Sequence, residues 1–310
     1  NPAKQKEVIK YFYNIKGYER ETAVAAFTKK ELQRKGDKPR SVGDCGPLGK
    51  YVLGPVLKSL DYASARVFDD LWGVGQSYED KSRKFNRLYN AGYRSSVALD
   101  ITSMDQSHNK LIKLFWEELI ELYCDLATNV LHVPKELIKR VALKEFTFIK
   151  YEIRLPTGGK ETVAKVRLYH KMCSGQPYTT VLNTVMICIS LKYIEMKYKF
   201  KLGGSVSGDD VGLLCTEVDL NLIKKAFSEV FTTPETRRSF KGNGLVVKFL
   251  RISQYNTDFQ ACSTETFRCE YCGYHVIRFL DRLYYQTNGT CSCSNLNNLE
   301  VAELIDSIVI

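Results

Sequence analysis

Hydrophobic and polar residues recur with two periods along this chain, and the period assigns most of its elements. Lys4 to Tyr13 reads as a short helix. Ala23 to Arg40 begins apolar and turns strongly basic, and Pro39 argues against helix at its end. Gly43, Gly46, Pro47 and Gly49 predict a loop. Leu53, Leu57, Leu60 and Val67 are spaced as on a helix over Tyr51 to Trp72, which Gly73, Gly75 and the charged run Asp80 to Arg83 break. Arg94 to Ile101 is a short β-rich run ending in an acid. Met104 to Thr128 predicts a long amphipathic helix with Leu111, Leu114, Phe115, Leu119 and Leu122 on one side. Pro134 to Val141 is helical, and Glu145 to Arg154 and Thr162 to His170 alternate as a hairpin about Pro156-Thr-Gly-Gly159. Thr179 to Lys199 and Leu220 to Phe231 predict helices, and Leu202 to Cys215 a strand–turn–strand. Gly244 to Ser253, Asp258 to Phe267 and Gly273 to Phe279 predict strands. That order is α+β.

Composition adds limits. The chain has 310 residues, 44% hydrophobic and 26% charged, which is globular and excludes a low-complexity or disordered chain. No apolar run approaches the roughly 18 residues of a membrane span. The opening Asn1-Pro2 reads as the interior of a longer protein. Ten cysteines in a chain this long, without a regular framework, predict reduced thiols and a cytosolic setting. The net charge is +10. Residues 1–50 carry a positive excess of six and residues 135–171 another six, so the remainder sums to −2. Two basic segments flanking a neutral-to-acidic centre suit a polyanion held near metal-binding carboxylates.

Three features bear on chemistry. Asp100-Ile-Thr-Ser-Met-Asp105 ends a predicted strand, where a carboxylate can lean over the sheet edge toward a hard cation such as Mg²⁺. Gly208-Asp209-Asp210 predicts a tight turn with two carboxylates at its tip. Such a turn is also good surface chemistry, but the apolar flanks Val206, Val211, Leu213 and Leu214 point to a buried hairpin. Ser174-Gly175 opens a loop leading to Thr179 and Asn183, one helical turn apart, where small polar groups could meet a sugar hydroxyl or simply cap and fill the helix.

In this order the three resemble motifs A, B and C of the palm of viral RNA-dependent RNA polymerases. Asp105-Gln106 after the four-residue gap is most similar to tombusvirus- and nodavirus-like enzymes. Ala26-Phe-Thr-Lys-Lys-Glu31 with Lys38-Pro-Arg-Ser-Val42 resembles the basic finger of motif F. Gly244-Leu-Val-Val-Lys248 and Asp258-Phe-Gln-Ala-Cys-Ser263 resemble motifs D and E.

The resemblance implies a right-hand palm, an antiparallel sheet backed by helices, with interleaved fingers and a thumb largely absent. Fingers would be residues 1–95, with motif F in 23–50, and an insertion at 131–172. The palm would be 96–130 and 173–290, and 291–310 the start of a thumb or a tail. Asp100, Asp209 and Asp210 would hold two Mg²⁺ ions, with Mn²⁺ an alternative. Asp105, Thr179 and Asn183 would read the ribose 2′-hydroxyl, and Ser174-Gly175 would move with translocation. Lys29, Lys38 and Arg40 would bind the triphosphate, and Lys248 would protonate pyrophosphate. The implied partners are template and product RNA, ribonucleoside triphosphates and other viral replication proteins. The implied place is a membrane-associated replication complex in host cytoplasm.

Alternatives stay open. Reverse transcriptases resemble this layout, but they carry an aromatic gate where Asp105 stands and Tyr-x-Asp-Asp where Gly-Asp-Asp stands. An inactive palm-fold RNA-binding fragment is a second. A zinc-dependent nucleic-acid binder, using Cys269, Cys272, Cys291 and Cys293 with His275 nearby, is a third, although the Cys-x-Cys half is irregular for zinc.

Overall fold

The computed structural model describes residues 23–28, 41–44, 46–102, 104–131, 148–154, 162–169, 179–216, 219–233, 242–254, 259–261, 264–269, 271 and 273–278. In chain order the elements are β1 (Ala23–Thr28), β2 (Ser41–Asp44), α1 (Gly46–Val67), α2 (Tyr78–Asn90), β3 (Tyr93–Ile101), α3 (Met104–Ser107), α4 (Lys110–Leu131), β4 (Phe148–Arg154), β5 (Thr162–Tyr169), α5 (Thr179–Tyr198), β6 (Leu202–Ser207), β7 (Asp210–Thr216), α6 (Leu220–Val230), β8 (Val247–Gln254), β9 (Phe259–Ala261), β10 (Thr264–Cys269) and β11 (Gly273–Arg278).

Strand β3 organises the centre because both its edges are paired. The sheet runs β6-β7-β3-β8, and every neighbour is antiparallel. Strand alternation gives each face its own core. Val97, Leu99 and Ile101 of β3, with Val211 and Leu213 of β7, join the main core beneath the helices. Ala98 and Leu214 belong to the opposite face and pack with Phe85, Leu88, Tyr274 and Val276. Helix α5 is buried nearly all round, with Leu182, Thr184, Ile187, Cys188, Leu191 and Ile194 each at most 0% exposed, so it is a core helix and not an amphipathic one.

The outer edge of β6 is covered by an extended segment, which disposes of its unpaired backbone groups. Gly204 and Val206 donate N–H bonds to the Asp70 and Leu71 carbonyls (2.6 and 2.8 Å), and Gly73 N–H donates to the Val206 carbonyl (3.0 Å). Gly204 has φ +153°, and a Cβ there would lie 2.3 Å from the Gly212 carbonyl oxygen. Only glycine lets β6 and β7 approach at that point.

Five expectations are corrected. The charged run read as a breaker begins α2 instead: Ser77 and Asp80 form a reciprocal capping box, with Asp80 in the place more often held by Glu or Gln. The predicted loop at Gly43–Gly49 is largely ordered, because β2 reaches Asp44 and α1 starts at Gly46 with Pro47 in its first turn, where a missing N–H costs nothing. That helix also ends at Val67, which is exposed, rather than at Trp72. The long helix from Met104 is broken at His108-Asn109, where Asn109 Oδ1 accepts the N–H groups of Leu111 and Ile112 (2.9 and 3.1 Å) and restarts it as α4. This sets the phase: Ile112, Trp116 and Ile120 face the core, while Leu111 and Leu114 face out. The strand expected over Asp258 to Phe267 is two, β9 and β10.

A separate sheet has the order β2-β1-β4-β5, with β1 parallel to β4 and β4–β5 the expected hairpin. It brings together stretches of the two basic segments, more than a hundred residues apart in the chain. A third sheet, β11-β10-β9, lies against α2, whose Asn86 and Ser82 side chains accept the N–H groups of Tyr274 (2.6 Å) and Val276 (2.9 Å). The expected helices at Lys4–Tyr13 and Pro134–Val141 lie outside the described residues. Among the described residues no helix is long and apolar enough to cross a membrane.

Candidate active site at the end of the central sheet

Asp100 and Asp210 are directly opposite partners across β3 and β7. Direct partners in an antiparallel pair present their side chains to the same face. That face is the one of Ala98 and Gly212, themselves partners, so the two carboxylates sit above small neighbours at the end of the sheet. Both acids are half-buried, and Asp209 is exposed. Ile101 N–H donates to the Asp209 carbonyl (3.1 Å), which ties the turn to the end of β3. Residues 100, 209 and 210 are thus backbone neighbours although about a hundred residues separate the first from the other two in the chain.

The turn itself is Gly208-Asp209, with Ser207 and Asp210 paired across it. Gly208 has φ +66° and Asp209 is not among the positive-φ residues, the pattern of a II′ hairpin turn with glycine first. Gly208 N–H donates to Thr184 Oγ1 (2.8 Å), and the Thr184 hydroxyl donates to the Thr180 carbonyl (2.7 Å). A fully buried threonine on α5 therefore holds the turn that carries the aspartates. The sequence reading missed Thr184; its only signal was position, one residue after Asn183 on a helix leading to the hairpin.

Thr179 is the first residue of α5 and, like Asn183, is buried. Asn183 Oδ1 lies 2.9 Å from His108 Nε2, a buried contact between the α3–α4 junction and α5 that no histidine reading anticipated. Asp105 falls within α3, but its side chain is outside the described set. Lys248 lies where the β3–β8 register slips: Asp100 pairs with Phe249 and Ile101 with Val247. Such a bulge re-aims side chains beside functional sites. The Lys248 side chain itself is outside the described set, as are Lys29, Lys38, Arg40, Ser174 and Gly175 entirely.

A second support lies behind the hairpin. Lys84 Nζ, in α2, donates to the carbonyls of Asp69 (2.8 Å) and Trp72 (2.7 Å), pinning the segment that pairs with β6. Burial pushes its ammonium down to about 8. Glu195, buried on α5, accepts the Leu202 N–H (2.7 Å) and the Lys192 ammonium (2.6 Å), and so starts β6.

As a donor set the acids suit a hard cation. Among the described residues no group of three His, Cys, Asp or Glu could by itself hold a metal ion. A pair of half-buried carboxylates on one sheet face fits an ion such as Mg²⁺, which needs only one or two carboxylates plus substrate phosphate and water. For zinc, Cys269 ends β10 and pairs with Gly273 in the β10–β11 hairpin, while Cys272, Cys291 and Cys293 lie outside the described residues. His275 stacks on its partner Phe267, centroids 5.4 Å apart. Cys188 is core, as its apolar neighbours predict, and burial pushes its thiol up to about 12.

No protein-family model and no curated protein sequence matches the chain. Solved structures do. The RNA-dependent RNA polymerase of a human picorbirnavirus aligns over 83% of this chain and 45% of its own, with 15% identity and a TM-score of 0.59. An insertion-loop deletion mutant of that polymerase aligns over 93% of this chain and 54% of its own, with 15% identity and a TM-score of 0.60. The chain spans about half the length of these neighbours. They are picorbirnavirus enzymes and so do not carry the finer likeness to tombusvirus- and nodavirus-like enzymes. At this identity the likeness concerns architecture: the chain has a viral RNA-dependent RNA polymerase fold over the part it shares with them.

Proposed function

We propose that this chain is the fingers and palm of a viral RNA-directed RNA polymerase, joining ribonucleoside triphosphates to an RNA 3′-hydroxyl under direction of an RNA template. The observation that carries the reading is the pairing of Asp100 with Asp210, with Asp209 in the adjoining turn. Phosphoryl transfer needs little covalent help from a protein and much positioning of charge. Asp100 and Asp209 would hold Mg²⁺ or Mn²⁺, with Asp210 a looser ligand or charge setter. Metal ions bound there would supply Lewis-acid stabilisation to the attacking and leaving oxygens.

The remaining roles belong to the chain's own groups. Asp105, Thr179 and Asn183 would surround the ribose, and Lys248, at its bulge beside Asp100, would give a proton to departing pyrophosphate. Lys29, Lys38 and Arg40 would contact the triphosphate, and Ser174-Gly175 would shift with translocation. An acid rather than an aromatic at position 105 supports RNA over DNA synthesis. Asp105-Gln106 supports a finer place near the tombusvirus- and nodavirus-like enzymes. Residues 1–95 and 131–172 would be fingers, and 96–130 and 173–290 palm. Such an enzyme would work with other viral replication proteins in a membrane-associated complex of the host cytoplasm.

The test is nucleotide addition to a primed RNA with Mg²⁺ or Mn²⁺, wild type against Asp209→Asn. The proposal expects addition by the wild type and a fall of about 10²-fold or more in the variant. Equal addition by both, or none by the wild type, would count against it.

A further inference from the structure

We infer that the outer face of α5, over its C-terminal half, docks this protein onto an anionic lipid surface. The inference does not rest on the polymerase reading. Ile189, Tyr193 and Met196 are 37, 51 and 71% exposed. At about 3.6 residues per turn they fall in one stripe, and Leu182 and Val185, earlier on the same stripe, are buried. Single exposed apolar side chains are ordinary on a protein surface; three in a row on a helix that is otherwise core are not.

Positive charge frames the stripe. By helical spacing Lys192 falls on one side of it and Lys197 on the other. Lys199 and Lys201 follow the helix and are exposed. The Lys197 ammonium lies 5.8 Å from the Tyr193 ring centroid and 2.7 Å from Glu229 Oε2 of α6. Over residues 189–201 and 219–230 six lysines outnumber three acids, Glu195, Asp219 and Glu229. Lysine stems lie along apolar surface while their ammonium groups reach outward, and tyrosine suits a boundary that is apolar on one side and wet on the other.

Lys199 supplies an independent observation. Its N–H donates to the Glu195 carbonyl (3.0 Å) just past the end of α5, and its φ is +61°. Among the described residues no other non-glycine has a positive φ. Glycine commonly holds this position after a helix, because a Cβ makes left-handed backbone costly. The dipole of α5 returns to a cation only part of that cost. A lysine here keeps a strained backbone and places a charge beside the stripe, and strain of this kind points to function.

A lipid surface accounts for these features together. The stripe is the outer side of one helix, a convex shape that suits a broad flat partner better than a peptide seated in a groove. RNA would match the lysines and stack on Tyr193, but would leave Ile189 and Met196 unmatched. Anionic headgroups meet the lysines, while the edge of the acyl region takes the apolar side chains. Met196 lies about 18 Å along α5 from Thr184, so the docking face and the aspartate turn stand toward opposite ends of the helix.

The experiment is co-sedimentation of the 310-residue chain with phosphatidylcholine vesicles, with and without phosphatidylserine. Wild type should bind the phosphatidylserine vesicles, more weakly as salt rises, and plain phosphatidylcholine far less. Tyr193→Glu with Met196→Glu should lower the affinity for phosphatidylserine vesicles about tenfold or more. Leu111→Glu with Leu114→Glu changes the net charge equally at exposed positions of α4, and should lower it less than about threefold. Lys199→Gly should lower it about fivefold while Tm stays level or rises, an opposition that a purely structural lysine would not show. No binding by wild type, equal losses in the two double variants, or Lys199→Gly binding like wild type overturns the inference. A Tyr193/Met196 variant that keeps its vesicle affinity and loses affinity for single-stranded RNA also overturns it, and makes the face an RNA surface.

Discussion

Replacing Thr184 by Val should loosen the aspartate turn without opening a hole. Valine fills nearly the volume of threonine, and Thr184 is fully buried, so packing changes little. What goes is the hydroxyl that accepts the Gly208 N–H at 2.8 Å. The Thr180 carbonyl loses a hydroxyl donor but keeps its helical position. Gly208 is itself buried, so its N–H is left without that acceptor in a place water does not readily reach. A stranded buried donor costs about 1–3 kcal/mol. For a chain of this size that is a fall in Tm of roughly 2–8 °C. The same loss frees the turn to shift, and a displacement of about 1 Å at a reacting centre can cost about 10²-fold in rate. Thermal melts and primer extension on Thr184→Val and Thr184→Ser check both parts. The serine variant keeps an acceptor and should lie close to wild type in both assays. A valine variant that melts and extends like wild type would refute the assignment of Thr184 as the post of the turn.

Three further outcomes follow from the same contacts. Gly204→Ala should disrupt the central sheet by well over about 2 kcal/mol, because the new Cβ meets the Gly212 carbonyl oxygen at 2.3 Å and φ is +153°; denaturant unfolding reads it. Lys84 has its native pKa lowered from 10.5 to about 8, so the unfolded chain binds the extra proton between those values and the Lys84 contribution to stability rises with pH across that window. In Lys84→Met this rise should vanish from urea midpoints measured below and above it. Leu111→Glu should change stability by no more than about 0.5 kcal/mol, whereas Ile112→Ala should cost about 2–5 kcal/mol; equal effects would contradict the observed phase of α4.

Some of this was legible in residue order and some could not be. The strand ending in Asp100 and the Gly-Asp-Asp hairpin showed themselves because strand periodicity and turn chemistry are local, and the apolar flanks of the turn announced its burial. Helix α5 was legible as an apolar run of the right length. Helix α2 was hidden because its capping box uses Asp80 and its first turn is all polar, so a start signal resembled a break. The face of α4 was legible in part: Phe115 and Leu119 pack against the core, but Leu111 and Leu114, which fit the same helical stripe, face out, and Ile112, Trp116 and Ile120 are the residues that are buried. Only the Asn109 cap and the packing of Trp116 choose between them. The His108–Asn183 and Thr184–Gly208 bonds join residues 75 and 24 positions apart, and no short-range pattern records such pairs. The bulge at Lys248 is likewise a property of two strands in register and not of either alone.

The central claim is that carboxylates from β3 and the β6–β7 turn form one metal-binding centre. Anomalous diffraction from crystals soaked in Mn²⁺ with a nucleoside triphosphate tests it most directly. The account predicts manganese peaks in contact with both the Asp100 and Asp209 carboxylates and missing from Asp209→Asn. Manganese found only elsewhere, or unmoved by that substitution, would contradict it.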